Sequence, residues 1–161
     1  MKEFLLVRHA KSSWKHPHLK DKERPLNPRG ERDAPRMAAY CKDNGLALTN
    51  IISSPAVRAF TTASIFSEIY GNLDVDIETD LYFGEESDWL DIINQLDEDI
   101  KFPAFFSHNP TITYFANSFE GDYIDNVPTC GVVHIKSSAN EWSEVDCRNS
   151  KIESFIYPKG I

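Results

Sequence analysis

The sequence predicts an α/β protein: a mainly parallel sheet flanked by helices on both faces. Three observations predict this fold class. Short apolar runs recur along the chain, segments with apolar residues at helical spacing alternate with them, and no repeat or linker divides the series. The 161 residues fit a single domain, which we expect to span residues 1–161.

The first strand and the first helix are separated by a long loop. KEFLLV at 2–7 is a continuous apolar run, typical of a strand buried on both faces. Residues 10–27 are polar, with prolines as turn signals, and predict a loop of a length that is often functional. A helix is expected from Pro28, capped by Asn27, to Asn44-Gly45.

The middle of the chain continues the alternation. TNIIS at 49–53 predicts a second buried strand, and apolar spacing over 56–70 predicts a helix that Gly71 ends. Residues 74–79 alternate polar and apolar side chains, which indicates a half-exposed strand at a sheet edge. An acidic helix is expected over 86–97.

The last third completes the sheet. Residues 102–106 repeat the buried-strand signature and end at Ser107-His108. A helix opened by Pro110 is expected over 110–118, and the runs at 132–135 and 152–156 predict closing strands. The sheet is therefore expected to contain all these strands around one core.

Composition excludes several classes of protein. The chain has 41% hydrophobic and 26% charged residues, and no segment approaches the roughly 20 apolar residues that span a bilayer. Its net charge of −8 has the wrong sign for general binding of nucleic acid or an anionic membrane. Residues 1–36, however, hold ten basic and five acidic side chains, so an anion site is expected there.

The cysteines predict neither a disulfide framework nor a zinc site. Cys41, Cys130 and Cys147 are odd in number, widely spaced and without a CxxC pair. FLLV at 4–7 is too short for an N-terminal signal before Arg8 and His9 interrupt it. We therefore expect a soluble protein of a reducing compartment, the cytoplasm.

Three of the apolar runs end in polar residues suited to bind phosphate. LLV ends at Arg8 and His9, AFF ends at His108, and NII is followed, one helical turn on, by Arg58. Ligands of an open parallel sheet bind outside the carboxyl ends of its strands, so these side chains are expected to converge. Neighbouring hydroxyls supply further donors, namely Ser12, Ser13, Ser53 and Ser54.

This set of residue types points to phosphoryl transfer through histidine. Guanidinium forks match phosphate oxygens two at a time. No activated Cys or Asp motif and no metal cluster is visible, which leaves an imidazole nitrogen as the nucleophile. The attacking ring must be neutral, with its far nitrogen protonated. We therefore predict a hydrogen bond from His9 to a backbone carbonyl.

Four blocks carry a family resemblance: LVRHAKSSW at 6–14, RPLNPRG at 24–30, SSPAVRAFTTA at 53–63 and SHNPT at 107–111. In this order and spacing they resemble the histidine phosphatase superfamily, with its phosphoglycerate mutase-like fold. The closest likeness is to its short SixA-type phosphohistidine phosphatase branch, which PTCG at 128–131 also fits. The resemblance implies that His9 accepts the phosphoryl group, that Arg8 and Arg58 clamp it, and that His108 completes the pocket, with no metal or cofactor.

Other positions are weaker candidates. Two glycines usual in the superfamily are replaced by Ala10 and Ser107, and Ser107 can alter the backbone near His108. Trp14 either lines the entrance or anchors the loop, and Arg24 either reaches the pocket mouth or pins the loop. Candidate substrate-binding residues are Ser12, Arg24, Ser53 and Asn109. Larger members carry a carboxylate that protonates the leaving oxygen, and Glu85 and Glu86 lie in that part of the chain without a motif that selects one.

The expected function is a phosphatase that forms a phosphohistidine at His9 and hydrolyses it with water. Its substrate is expected to be a phosphohistidine on another protein or a small phosphorylated metabolite. The small chain has little material for a lid, which favours a side chain displayed on a protein. The alternatives are a phosphosugar or phospho-acid phosphatase, or a mutase, with a closed pocket, and a catalytically weak phosphoprotein-binding module. The intact Arg-His, Arg and His set argues against the module, because binding needs no nucleophile.

Overall fold

A six-stranded sheet forms the centre of the structure, a computed structural model that describes residues 1–161. Its strands are β1 (Lys2–Arg8), β2 (Asn50–Ser53), β3 (Val75–Ile77), β4 (Pro103–Ser107), β5 (Val132–Ser137) and β6 (Ser150–Ile156). Their order across the sheet is β3-β2-β4-β1-β5-β6. Strands β3, β2, β4 and β1 pair in parallel, whereas β5 is antiparallel to β1 and β6. The predicted mainly parallel sheet is confirmed, and β3 lies at an edge as its alternation indicated.

Five helices connect or follow these strands. They are α1 (Pro28–Asp43), α2 (Val57–Ile69), α3 (Asp80–Phe83), α4 (Glu86–Asn94) and α5 (Thr111–Asn117). The sequence did not predict α3, because four residues make about one turn and leave no periodic pattern. The acidic helix ends at Asn94, three residues before the predicted end. None of these helices combines the length and the hydropathy that a membrane crossing requires.

Alternate residues of β1 separate two apolar layers. Phe4 and Leu6 face the layer that contains α4 and α5, whereas Leu5 and Val7 face α1 and α2. The layers contain 18 and 17 buried residues, so the sheet is covered about equally on both faces. Covering both faces explains why β1 is a continuous apolar run rather than an alternating one.

The start of α1 packs directly on the loop that follows β1. The Asn27 side chain caps the helix by accepting a hydrogen bond from the Gly30 backbone N–H at 2.9 Å, as predicted. The Asn27 N–H in turn donates to the carbonyl of Lys11 at 2.9 Å. A Cβ atom on Gly30 would lie 2.2 Å from that same carbonyl oxygen. Glycine is therefore required at this position by the close approach of two backbones.

We expect Gly30→Ala to lower the free energy of unfolding by about 3 kcal/mol, because neither backbone has room to move. Urea unfolding measures this effect. Gly45→Ala is the matched control, since its Cβ meets no atom within 4 Å and only its positive φ of 83° opposes the change. That control should cost about 1 kcal/mol. An equal loss in the two variants would show that the contact with Lys11 is not what requires glycine.

Candidate active site

The carboxyl ends of β1 and β4 bring two histidines together. The strands are parallel neighbours with Arg8 opposite Ser107, so His9 and His108, the next residues, leave the sheet at the same level. The His9 N–H donates to the Ser107 carbonyl at 3.0 Å. The two imidazole rings lie 5.2 Å apart between centroids and are tilted by 50°. The expected convergence at this edge of the sheet is thus present.

One nitrogen of His9 is already assigned by its hydrogen bond. Nδ1 lies 2.7 Å from the carbonyl oxygen of Ala10, the kind of bond that the sequence predicts. Because a carbonyl only accepts, Nδ1 must carry the proton, and Nε2 keeps its lone pair. The backbone around the ring is fixed too: the Ala10 N–H donates to Thr62 Oγ1 at 3.0 Å, and the Cys130 N–H donates to the His9 carbonyl at 3.0 Å. His9 therefore presents a basic nitrogen on a rigid backbone.

The second histidine contacts a serine at the end of the neighbouring strand. His108 Nε2 lies 2.7 Å from Ser54 Oγ, and its Nδ1 is buried without a partner. The predicted Ser53 is instead fully buried and donates to the Ser54 carbonyl at 2.9 Å. Since side chains alternate along an extended chain, only one of two successive serines can face the site. Ser107, which replaces the usual glycine, is buried and donates to the Leu81 carbonyl.

Arg58 is buried and Arg8 is half-buried, and both guanidiniums are held from one side. Arg8 Nη1 donates to the Val127 carbonyl at 3.0 Å, while its Nε is buried without a partner. Arg58 Nη1 and Nη2 donate to the carbonyl and the carboxylate of Asp21, at 2.7 and 3.0 Å. Burial, and then the charge of Arg58, lower the pKa of Arg8. Each guanidinium keeps further N–H groups for the oxygens of an anion.

Sequence reasoning missed the carboxylate of this site, Asp21. Its Oδ2 accepts from Arg58 and, at 2.8 Å, from the Tyr82 hydroxyl, and its Oδ1 lies 3.2 Å from Arg24 Nη1. Tyr82 in turn lies edge-on to the His108 ring at 5.4 Å. Burial raises the pKa of Asp21, but the hydrogen bonds from Tyr82 and Arg58 outweigh it and lower the pKa to about 2. Asp21 is therefore ionised at neutral pH and is not a proton donor there.

The only sequence signal for Asp21 is its place three residues before Arg24, in the RPLNPRG block. Arg24 is buried and uses its other donors inside the loop, with Nη2 on Ser12 Oγ at 2.7 Å and Nε on the Ser13 carbonyl at 3.1 Å. Its guanidinium carbon lies 3.3 Å from the centroid of the Trp14 ring. These contacts favour the loop-pinning alternative for Arg24, and Ser12 is one of the groups that it pins.

The remaining candidates lie around the pocket rather than in it. Asn109 Nδ2 donates to Asn126 Oδ1 at 2.8 Å and to the Val127 carbonyl at 3.1 Å, so it fixes the segment that holds Arg8. Glu85 and Glu86 are exposed at the start of α4, and neither side chain forms a hydrogen bond with a residue of the site. No group of three or more side chains is arranged to hold a metal ion.

Both histidines are neutral at physiological pH. Burial lowers the pKa of His9 to about 3, and the neighbouring arginines add to this effect while the bond to Ala10 opposes it. Burial, followed by the proximity of His9 and Arg58, lowers the pKa of His108 to about 2. Three guanidiniums, of Arg8, Arg24 and Arg58, act on His9, and only the Asp21 carboxylate opposes them, so the pocket has an excess of positive charge without any charged imidazole. Such a site favours a dianion such as a phosphoryl group.

These pKa values predict a loss of stability on acidification. Below the ordinary histidine pKa of 6.5, His9 and His108 bind protons in the unfolded chain. In the folded chain they stay neutral until the pH falls to about 3 for His9 and about 2 for His108. The free energy of unfolding should therefore fall as the pH drops from 6.5, by up to about 1.4 kcal/mol per histidine and pH unit. Urea unfolding at pH 7 and pH 5 measures it. A His9→Gln variant with an unchanged pH dependence would contradict this origin.

The same values predict where histidine protonation enters the rate. The ratio kcat/KM reports the ionisation of free enzyme and free substrate. With both imidazoles neutral down to about pH 3, the profile of p-nitrophenyl phosphate between pH 7 and 5 should follow only the second ionisation of the substrate. Once the substrate is corrected for, an additional acid limb near pH 6.5 would show that one imidazole titrates normally.

Comparisons with known proteins agree with this geometry. A family model for the histidine phosphatase superfamily (branch 1) matches residues 4–101. An uncharacterized protein of Mycobacterium leprae is 24% identical over 167 residues, which cover 95% of this chain and 100% of that protein. The segment that the family model matches contains His9 and Arg58 but ends before His108, which the tertiary structure brings to the site.

Solved structures share the whole fold. The structure of the protein histidine phosphatase SixA complexed with tungstate has a TM-score of 0.83 at 18% identity, and the match covers 98% of this chain and 97% of that one. A mycobacterial glucosyl-3-phosphoglycerate phosphatase has a TM-score of 0.70 at 13% identity, over 95% of this chain and 97% of that one. The same architecture therefore occurs in phosphatases with different stated substrates.

Proposed function

The chain belongs to the histidine phosphatase superfamily, branch 1, and is a phosphatase; from this we propose that its substrate is a phosphohistidine displayed on another protein. The observation that carries the proposal is that the carboxylate of the site, Asp21, has both oxygens occupied by donors from Arg58, Arg24 and Tyr82, which keep it ionised. A site without a protonated carboxyl group suits a leaving group that takes its proton from water. The imidazole of phosphohistidine is such a group, because an imidazole nitrogen accepts a proton near neutrality.

The proposed reaction has two steps. His9 Nε2 attacks the phosphorus atom, a new P–N bond forms, the P–N bond of the substrate breaks, and the leaving imidazole is protonated by solvent. Water then attacks the phosphorus atom of the phosphorylated His9. The bond to Nε2 breaks, inorganic phosphate is released, and neutral His9 is regenerated.

Each contact of the site supports one part of this reaction. The bond from Nδ1 of His9 to the Ala10 carbonyl keeps Nε2 unprotonated for the attack and stabilises the positive ring once Nε2 is phosphorylated. Arg8 and Arg58 stabilise the charge on the transferred oxygens, as arranged donors do in phosphoryl transfer. We assign the leaving-group proton to solvent rather than to Glu85 or Glu86, whose side chains bond to no residue of the site.

The shape of the molecule also supports a substrate carried on a protein. Two cavities of the molecule, of about 680 and 540 Å³, are lined by residues other than His9 and His108. A small metabolite binds best in a concave pocket that covers most of its surface. A phosphorylated side chain needs only its phosphoryl group to enter, because the rest of the contact is made outside.

The experiment compares substrates that share a phosphoryl group and differ in the leaving group. We expect a phosphohistidine protein to be hydrolysed with a higher kcat/KM than glucose 6-phosphate or 3-phosphoglycerate, and p-nitrophenyl phosphate, with its good leaving group, to be intermediate. A preference for sugar phosphates or phospho-acids would contradict the proposal and support the small-molecule alternative. Binding of phosphohistidine protein without turnover would support the binding-module alternative.

We propose the cytoplasm as the compartment of this reaction. All three cysteines are free, and Cys41 and Cys130 are buried. Buried thiols of this kind behave as small apolar residues and suit a reducing compartment. Fractionation of cells that express the tagged protein tests this placement.

A further inference from the structure

Two exposed aromatic side chains flank the mouth of the pocket. Trp14 is 75% exposed and Phe83 is 66% exposed, although both rings are large and apolar. Trp14 stacks on Arg24, and Phe83 packs edge-on against Tyr82 with 4.6 Å between centroids. Arg24 and Tyr82 both bond to the carboxylate of Asp21. The two aromatics therefore lie on either side of Asp21, next to the phosphate-binding arginines.

Positive charge lies beside both rings, although Glu85 and Glu86 are exposed two and three residues after Phe83. Residues 11–24 contain five basic and two acidic side chains, although the whole chain has a net charge of −8. Asp21 is paired with Arg58 and Arg24, so it adds little negative charge to the surface. Lys22 Nζ lies 5.7 Å from the centroid of the Phe83 ring, and Lys15 is exposed beside Trp14. We call Trp14, Lys15, Lys22 and Phe83 the rim.

We propose that the rim is the docking surface for a folded protein whose phosphorylated histidine is surrounded by acidic residues. This inference rests on the proposed function, because it names what holds the substrate outside the phosphate pocket. Large aromatic side chains dominate the binding energy of protein interfaces, and groups of exposed apolar side chains mark interaction sites. A free phosphorylated metabolite fills the pocket but is too small to cover rings on both sides of it.

The charge selects among macromolecular partners. The basic rim attracts an acidic surface of limited size, because the surface beyond it is negative and begins at the exposed Glu85 and Glu86 next to Phe83. Nucleic acid and an anionic membrane extend beyond the rim and would meet that negative surface. A compact acidic protein fits the rim alone.

The test compares hydrolysis of the P–N bond in three substrates: free phosphohistidine, a small acidic protein with one surface phosphohistidine, and a small basic protein with one. All three substrates are made by phosphorylating histidine with phosphoramidate. For the wild-type enzyme we expect kcat/KM to be at least about 10-fold higher on the acidic protein than on the basic protein. Raising the salt concentration should reduce this preference, because the Debye length shortens to below about 10 Å above 0.1 M salt. The rate with free phosphohistidine should not depend on salt in this way.

Rim variants separate docking from catalysis. Phe83→Ala should lower kcat/KM on the acidic protein about 10-fold or more, and Lys22→Glu should lower it further in low salt, while both leave free phosphohistidine within about 2-fold. Trp14→Phe keeps an aromatic ring over Arg24, so it should lower kcat/KM on the acidic protein without changing kcat/KM on free phosphohistidine. Matched controls line surface cavities that contain no rim residue: Tyr123→Ala, at a side chain 78% exposed, and Lys159→Glu.

The outcomes distinguish the two proposals. If the wild-type enzyme hydrolyses the acidic phosphoprotein but Phe83→Ala and Lys22→Glu match the controls, the rim is not the docking surface and the proposed function stands. If the variants lose equal activity on free phosphohistidine, the rim acts within the pocket and the docking proposal is wrong. If the wild-type enzyme prefers sugar phosphates to every phosphohistidine carrier, the proposed function fails, and the rim proposal fails with it.

Discussion

Replacing His9 with alanine is expected to lower the turnover of every substrate by at least about 10³-fold, the scale on which enzymes lose activity with their nucleophile. His9 Nε2 is the nitrogen that the bond between Nδ1 and the Ala10 carbonyl leaves unprotonated. His108 cannot replace it, because its Nε2 is already engaged with Ser54. The residual rate should come from the arginines, which still bind the phosphoryl group.

Two measurements check the role of His9. Steady-state kinetics gives the loss of turnover, and rapid quenching with a phosphorus-labelled substrate should trap an acid-labile phosphoenzyme in the native protein only. His134→Ala is the matched control, since His134 is also buried, bonds to Glu3 at 2.9 Å and stacks on Phe102, at the opposite ends of β1 and β4 from the site. It should lose stability but keep kcat. Turnover that survives in His9→Ala would sink the covalent mechanism.

Replacing Arg58 with alanine is expected to lower kcat/KM by about 10³-fold, the lower end of what a phosphate-stabilising arginine contributes. The guanidinium is buried beside both histidines, and it also holds Asp21 through two hydrogen bonds. Arg58→Lys should recover little of the loss. An ammonium group lacks the planar fork that bonds to the Asp21 carbonyl and carboxylate while other N–H groups face the phosphate.

Asp21 is expected to act through Arg58, and this coupling can be measured. In the native background, Asp21→Ala should lower kcat about 10-fold, because the guanidinium is no longer held in position. Inhibition by inorganic phosphate should become stronger, since the pocket loses its negative charge. In the Arg58→Ala background, the same substitution should have little further effect on kcat. Equal losses of kcat in both backgrounds would show that Asp21 acts independently of Arg58.

The periodicity of the chain predicted the larger elements because each buries one continuous apolar face. The apolar run of β1 and the apolar spacing in α1 and α2 are sequence patterns that follow from that burial. Helix α3 has no such pattern, because it is only one turn long, yet it contributes Tyr82 to the site. The direction of β5 was also open, because an apolar run is compatible with parallel or antiparallel pairing.

Local motifs predicted which residues gather at the site better than they predicted the contacts of those residues. The blocks around His9, Arg58 and His108 indicated the phosphate pocket, and the need for a neutral nucleophile predicted the bond that His9 makes with a backbone carbonyl. Neither the sequence blocks nor the requirement for a neutral nucleophile predicted which of two adjacent serines contacts His108. The strand pleat and the turn after β2 decide it, and they select Ser54.

By itself, therefore, the sequence determined the fold class, the family and the two arginines and two histidines, because these depend on periodicity and on short motifs at strand ends. Only the tertiary structure decided that Asp21 pairs with Arg58, that Arg24 pins the loop, and that Trp14 and Phe83 each pack on a side chain that bonds to Asp21. Those relations join residues from separate loops and helices. Their positions depend on how α2 and α3 pack on the sheet, which no local pattern in the sequence encodes.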